Sequence, residues 1–139
     1  MSTTDLHRLL YVSSAVRKLS AEELERLLAA ARITNGASDI TGVLLYADGD
    51  FMQLLEGPAD AVRQTFARIE RSSMHRQVIV LLDQPAAERQ FGRWSMAYSQ
   101  ATWAQLTDVQ AACRASGDAA TKVLASFALA PARFSRAAR

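Results

Sequence analysis

The sequence predicts an α+β fold, a five-stranded mixed sheet with two helices on one face and two C-terminal helices on the other. Apolar segments of strand-like composition alternate with segments whose apolar residues recur at helical spacing, in the order β-α-β-β-α-β-β. That order is the split βαβ arrangement of ferredoxin-like folds, in which strands one and three lie antiparallel at the sheet centre. Apolar residues occupy both alternating faces of these two strands, so both faces of the sheet need cover.

The first strand and helix are marked by composition and by a capping signal. Leu6–Ser14 is rich in apolar residues and is predicted to be the first strand. Ser20 precedes Glu23 by three residues, which is the spacing of a capping box at the start of a helix. Asn35-Gly36 is predicted to end this helix. Its apolar stripe comprises Leu24, Leu27, Leu28 and Ala31.

A hairpin and a second helix follow. Val43–Tyr46 and Phe51–Glu56 are predicted strands, and the Asp-Gly pair between them is typical of a tight hairpin turn. Gly57-Pro58 is predicted to end the third strand, with Pro58 in the first turn of the next helix. The apolar stripe of that helix comprises Val62, Phe66 and Ile69.

The remaining elements are two strands and two helices. His75–Leu82 is predicted as the fourth strand and Trp94–Ser99 as a shorter fifth. Thr102 is predicted to cap a third helix, and Gly117-Asp118 to begin a fourth. We expect these helices to cover the second sheet face, alone or together with another subunit. The predicted organisation is a core over residues 1–100, a helical cap over 101–130 and a flexible basic tail over 131–139.

Composition limits the class of protein. Hydrophobic residues make up 50% of the chain and charged residues 22%, as in an ordinary globular domain. The formal net charge is +2, and it falls to −1 without the three arginines of the tail, so no nucleic-acid binding is expected. The single cysteine, Cys113, allows neither an intrachain disulfide nor a multi-cysteine metal site. Without a secretory signal or a membrane-spanning apolar run, we expect a cytoplasmic protein that does not bind membranes.

Polar residues interrupt the central strands. Tyr11 and Gln53 can face the same helix-covered side of the sheet, where a buried carboxamide is costly unless it is hydrogen-bonded. One interpretation is a satisfied Tyr–Gln core pair with no further role. Asn35 and Arg68, from the two helices, are by themselves explained as a helix end and a solvated charge.

Five motifs together resemble one known family, the BLUF domains, which are blue-light sensors that use FAD. The resemblance runs from about Leu6 to Tyr98, and five motifs in this order and spacing are specific. They are RLLYVS with Tyr11, DITGVLLY, FMQLLEGP with Gln53, ARIERSSMHR with Arg68 and His75, and QFGRWSM with Trp94 and Met96.

The resemblance implies a flavin ring held between the first two helices. Tyr11 and Gln53 would lie at its N5 and C4=O edge, Asn35 at C4=O and N3, and Arg68 at C2=O. His75 would lie near the other end of the ring, with Leu27 and Ile69 against its faces. Thr34 stands where many members have a second asparagine, and Ser72 where an aspartate is frequent. Thr34 would keep one flavin hydrogen bond. Both departures leave the choice among FAD, FMN and riboflavin open.

The resemblance also implies a mechanism without a substrate. Tyr11 would give an electron and a proton to the light-excited flavin, and Gln53 would relay the proton and end rotated or tautomerised. Either Met96 or Trp94 would pass the change to strand five and the C-terminal helices. The output would reach a separate downstream protein, since no effector domain follows in this sequence. A homo-oligomer is also expected, because the second sheet face is apolar.

Two other functions are compatible with parts of the sequence. Arg68 and Asn35 could serve a small acylphosphatase-like hydrolase, but the connection 13–18 between the first strand and helix has no glycine for an anion-binding loop. A flavin-free interaction module of the same fold is the other alternative. No catalytic motif such as GxSxG, HExxH or a P-loop is present in the sequence.

Overall fold

The computed structural model describes residues 5–92 and 95–128. The helices and strands in these ranges follow the predicted order. They are β1 (Leu6–Ala15), α1 (Ala21–Ala37), β2 (Thr41–Ala47), β3 (Asp50–Pro58), α2 (Ala59–Arg71), β4 (His75–Pro85), β5 (Ala97–Gln100), α3 (Trp103–Cys113) and α4 (Gly117–Ala128).

The five strands form one mixed sheet in the order β4-β1-β3-β2-β5. β1 is antiparallel to both β3 and β4, β2 is antiparallel to β3, and the short β5 runs parallel to β2 at the edge. The predicted ferredoxin-like arrangement, with β1 and β3 antiparallel in the centre, is therefore confirmed. The register places Tyr11 directly opposite Gln53.

Helices cover both faces of the sheet, as predicted. On one face α1 and α2 pack on alternating residues of β1 and β3, including Leu9 and Leu55. On the other face α3 and α4 pack on the intervening residues, including Leu10 and Leu54. Neither set of helices forms a separate core, because each buries one side of the same sheet.

Local signals in the sequence place several element ends correctly. Ser20 and Glu23 form the predicted reciprocal capping box of α1, and Thr102 caps α3. Asp48 and Gly49 both have positive φ, 47° and 100°, which matches a two-residue hairpin turn.

Several predicted boundaries are wrong, including the end of the fourth strand, which continues past Leu82 to Pro85. α1 continues past Asn35 to Ala37, and β3 continues through Gly57-Pro58, which pair with the start of β1. Pro58 is consequently the residue preceding α2 and not part of its first turn. β5 begins only at Ala97, so Met96 lies just before the strand.

Trp94 and the predicted basic tail over 131–139 lie outside the described residues. Among the helices that the structure describes, none has the length and apolar character needed to span a membrane.

Candidate functional site

A cavity of about 230 Å³ lies between α1, α2 and the sheet face that carries Tyr11 and Gln53. Its wall contains every predicted site residue that the structure describes; Trp94 lies outside the described ranges. The lining residues are Tyr11, Leu27, Leu28, Ala30, Ala31, Thr34, Asn35, Leu44, Phe51, Gln53, Thr65, Arg68, Ile69, Ser72, His75 and Met96. The topology thus gathers residues from both helices and four strand segments into one site.

A buried hydrogen-bonded chain forms the floor of the cavity. The Tyr11 hydroxyl donates to Gln53 Oε1, and Gln53 Nε2 donates to Met96 Sδ at 3.4 Å. Tyr11 is 1% exposed and Gln53 7%. A thioether sulfur is a weak acceptor, so one end of the carboxamide is held firmly and the other loosely. A rotation of the carboxamide would therefore lose only a weak bond at its nitrogen end.

Burial governs the acid–base state of the phenol. Loss of contact with water raises the pKa of Tyr11 above its ordinary value of 10. The hydroxyl is therefore protonated throughout the physiological range. Its proton is therefore available for the hydrogen bond to Gln53.

Two side chains of α1 fix the segment that carries Met96. Asn35 is buried, and its Nδ2 donates to the carbonyl of Ser95 at 3.1 Å. Arg32 Nε donates to the carbonyl of Met96 at 2.8 Å. The carbonyls of two successive residues are thus held by α1, which sets the distance between Met96 and Gln53. Asn35 is more than a helix end, since α1 continues past it.

His75 lies at the base of the cavity. Its Nδ1 shares a 2.8 Å hydrogen bond with Ser13 Oγ, and its ring lies 5.1 Å from the ring of Phe51. Partial burial lowers the pKa of His75, so the imidazole is neutral at pH 7. Although His75 begins β4, its ring is half-buried between Ser13 of β1 and Phe51 of β3.

α2 supplies a charged group and an apolar one at successive positions. Arg68 and Ile69 both line the cavity, with Leu27 on α1. The Arg68 side chain is exposed and makes no hydrogen bond or ion pair with any residue that the structure describes. Thr34 also lines the cavity, but its hydroxyl donates to the carbonyl of Ala30 at 3.1 Å, inside α1.

Several residues of the cavity wall were not predicted as site residues from the sequence. The small residues Ala30 and Ala31 of α1 leave room next to the sheet. Thr65 of α2 is buried, and its hydroxyl has no hydrogen-bond partner in the described structure. The signal for Thr65 was present, because it precedes Arg68 by three residues and Ile69 by four, and such spacing places residues on one helix face.

Comparison with known proteins decides the family. The profile of the BLUF family, described as sensors of blue-light using FAD, matches residues 6–97. The chain belongs to the BLUF family. The resemblance drawn from the five sequence motifs is confirmed. BLUF domains are flavin-binding blue-light sensors, and this chain carries the fold and the Tyr–Gln hydrogen bond expected of such a sensor.

Curated relatives are much longer proteins. The chain is 35% identical over 111 residues to the photoactivated adenylate cyclase subunit beta of Euglena gracilis, which is 76% of this chain and 13% of the relative. It is 33% identical over 91 residues to the blue light- and temperature-regulated antirepressor BluF of Escherichia coli, 66% of this chain and 23% of that protein. The chain thus spans less than a quarter of either relative.

Solved BLUF structures of similar size match nearly the whole chain. The dark-state structure of BlrB, a BLUF protein, has a TM-score of 0.73 at 26% identity and covers 89% of this chain and 98% of that one. The ground state of BlsA has a TM-score of 0.73 at 28% identity, with coverage of 90% and 89%. Both coverages exceed residues 6–97, so the likeness extends into the C-terminal helices.

The cavity fits the family's cofactor on chemical grounds. A flavin ring has two apolar faces and an edge of carbonyl and nitrogen groups. Leu27 and Ile69 offer apolar contacts from the two helices, while Gln53, Asn35 and Arg68 offer polar groups. The guanidinium of Arg68, unpaired within the described residues, is a donor suited to a flavin carbonyl.

Proposed function

We propose that this protein is a blue-light photoreceptor that binds FAD non-covalently in the cavity between α1, α2 and the sheet. The observation that carries the proposal is the buried chain from Tyr11 through Gln53 to Met96, at the wall of that cavity. The family description names FAD, and FAD is the flavin of this proposal. The chain itself acts as a sensor and not as an enzyme.

The residue roles follow those implied by the family resemblance. Asn35, Gln53 and Arg68 contact the polar edge of the ring, and Leu27 and Ile69 contact its faces. Thr34 accepts or shares one further hydrogen bond through its oxygen lone pairs, because its proton is used inside α1. His75, which lines the cavity and is neutral at pH 7, lies near the other end of the ring.

Light chemistry requires a donor beside the chromophore. The bound flavin supplies blue-light absorption and an excited state that accepts an electron. Tyr11 would be the electron donor, and its hydroxyl proton would move along the existing hydrogen bond to Gln53 Oε1. The electron and the proton would then return to Tyr11 with no net redox change, and the carboxamide of Gln53 would end rotated or tautomerised. No bond to the protein forms and no substrate is consumed.

The hydrogen bonds of Gln53 allow its carboxamide to rotate with a small change in free energy. In the described structure its oxygen faces Tyr11 and its nitrogen faces Met96. Rotation replaces the bond from the phenol with one from Nε2 to the phenol oxygen, and the contact that is lost at Met96 is weak. A hydrogen-bond change of this kind is worth about 1 kcal/mol, which shifts a near-balanced equilibrium several-fold.

The output passes through the edge of the sheet. Met96 directly precedes β5, and α3 begins three residues after that strand. β5 pairs only with β2 among the described strands, so it can move without disrupting a second ladder. We infer that a change at Gln53 shifts Met96, then β5, and then the α3 and α4 helices. These helices address a separate effector protein, and the photoreceptor acts as a homo-oligomer.

A flash experiment tests this proposal. Protein loaded with FAD should show a flavin absorption band that moves to longer wavelength after a blue flash and returns in darkness. Gln53→Leu should retain the flavin and lose the shift. Gln64→Leu, on the exposed side of α2, is the matched control and should shift fully. A full shift in Gln53→Leu contradicts the mechanism, and purified protein that cannot take up any flavin supports the interaction-module alternative.

A further inference from the structure

Thr65 of α2 is an unexplained polar group at the cavity wall. It is 5% exposed, and its hydroxyl oxygen is buried without a hydrogen-bond partner in the described structure. A buried hydroxyl that has lost its water and gained no partner destabilises the folded state. Such groups are rare in folded proteins, so each one needs an explanation, for example a ligand that supplies the missing hydrogen-bond partner.

The helix itself could have satisfied this hydroxyl. Threonines within helices commonly donate to the carbonyl four residues earlier. Thr34 does so to Ala30 at 3.1 Å, and Thr121 to Gly117 at 2.7 Å. Thr65 makes no such bond, so its hydroxyl remains available although the local backbone offers an acceptor.

The surroundings of Thr65 indicate what it could bind. Arg68 and Ile69 follow one turn later on the same face of α2, and all three residues line the cavity. Threonine carries its hydroxyl and its methyl on the same carbon, so a rotation about χ1 exchanges the two groups at the wall without moving the helix. The hydroxyl can then donate to, or accept from, a polar group of a bound ring.

We propose that Thr65 is a further flavin-binding residue, whose hydroxyl forms a hydrogen bond to the bound flavin that replaces the missing partner. The inference rests on the proposed function, since the ligand is the same flavin. It assigns α2 a neutral hydrogen-bonding contact beside the charged one from Arg68. The contact lies on α2, so it is independent of the Tyr11–Gln53 pair on the sheet.

Substitution of Thr65 by valine, which is isosteric, and by serine, which keeps the hydroxyl, gives opposite expectations for FAD affinity. Thr65→Val removes a hydroxyl that has no partner without ligand, so the flavin-free protein should melt at a higher temperature than wild type. The same variant should bind FAD about five- to tenfold more weakly, because one neutral hydrogen bond to the flavin is lost. Thr65→Ser keeps the hydroxyl and should bind FAD within about twofold of wild type.

Thr121→Val is the matched control. Thr121 is buried in α4 on the opposite side of the sheet, and its hydroxyl is bonded to Gly117. This variant should lower the melting temperature of the flavin-free protein and leave FAD affinity unchanged. The FAD affinities of wild type and of each variant are measured by the quenching of FAD fluorescence as apoprotein is added in darkness.

The outcomes separate this inference from the proposed function. If wild type binds FAD and Thr65→Val binds it equally well, the Thr65 contact is overturned while the photoreceptor proposal stands. A fall in flavin-free stability as large as that of Thr121→Val also overturns it, because the hydroxyl would then have a partner without ligand. If wild type itself binds no FAD, both proposals fail. Should Thr65→Val not fold, Thr65→Ala removes the same hydroxyl and is judged by its FAD affinity.

Discussion

The two faces of the sheet differ in how completely their polar side chains are hydrogen-bonded within the protein. On the α3 and α4 face, Glu56 is 1% exposed and its carboxylate accepts the backbone N–H groups of Gln90 and Phe91 at 2.9–3.0 Å. Arg8 lies beside it, with Nε 3.9 Å from the carboxylate, and its Nη1 donates to Asp118 on α4 at 3.0 Å. Arg8 Nε is the only orphan among these groups.

On the α1 and α2 face, three polar side chains of the cavity wall keep unused hydrogen-bonding capacity within the described structure, whereas Asn35 and His75 are hydrogen-bonded. Gln53 Nε2 donates to the Met96 sulfur, which is a weak acceptor. The Thr65 hydroxyl has no hydrogen-bond partner, and Arg68 is unpaired within the described part of the chain. The same sheet therefore carries polar residues in two different environments. One face pairs them within the protein to join strands, loop and helix, whereas the other presents them to a cavity that fits a ligand.

The largest expected effect on stability lies on the closed face. Glu56→Leu removes the acceptor for two backbone N–H groups and leaves Arg8 without its buried counter-charge. We expect the free energy of unfolding to fall by about 3–5 kcal/mol, measured by urea denaturation of the flavin-free protein. Asp118→Asn, at a side chain that is 82% exposed, should cost less than about 1 kcal/mol. Equal losses in the two variants would contradict the distinction between buried and exposed partners.

On the open face, a substitution should affect ligand affinity more than stability. Arg68→Ala removes a charged donor, so we expect FAD affinity to fall by about 10- to 100-fold. Since Arg68 has no partner within the described residues, the stability of the flavin-free protein should stay within about 0.5 kcal/mol of wild type. Arg63→Ala, on α2 but outside the cavity wall, is the control. An unchanged affinity in Arg68→Ala would remove this residue from the site.

The smallest expected effect concerns pH. Burial lowers the pKa of His75 below 6.5, so the unfolded state binds a proton more readily than the folded state. Stability should therefore fall as the pH decreases below about 6.5, by at most about 1.4 kcal/mol per pH unit. Thermal melts between pH 5 and pH 8 (a range about the ordinary histidine pKa) should show a weaker dependence in His75→Phe than in wild type. A stronger dependence in that variant would contradict the assignment.

Local chemistry made much of the fold predictable. The Ser20–Glu23 capping box and the Asp48-Gly49 turn depend on neighbours in sequence, and both were predicted correctly. Alternation along β1 and β3 also predicted that Tyr11 and Gln53 would share a face, and the structure pairs them.

Tertiary contacts explain what the sequence could not show. The fifth strand was predicted to include Met96, because Trp94–Ser99 is a short segment of strand-like composition. In the structure, Arg32 and Asn35 of α1 donate hydrogen bonds to the carbonyls of Met96 and Ser95. The pairing of β5 with β2 therefore starts only at Ala97. The unpaired state of Thr65 was equally invisible, since it depends on a bond that other helical threonines make and this one does not.

The most direct test of the account compares two buried tyrosines on the same sheet. Tyr11 donates to Gln53 at the cavity wall, whereas the hydroxyl oxygen of Tyr46 accepts the backbone N–H of Leu19 outside it. Flash spectroscopy of FAD-loaded Tyr11→Phe should show a normal dark band and no shift to longer wavelength, while Tyr46→Phe should shift as wild type does. A full shift in Tyr11→Phe would contradict the account.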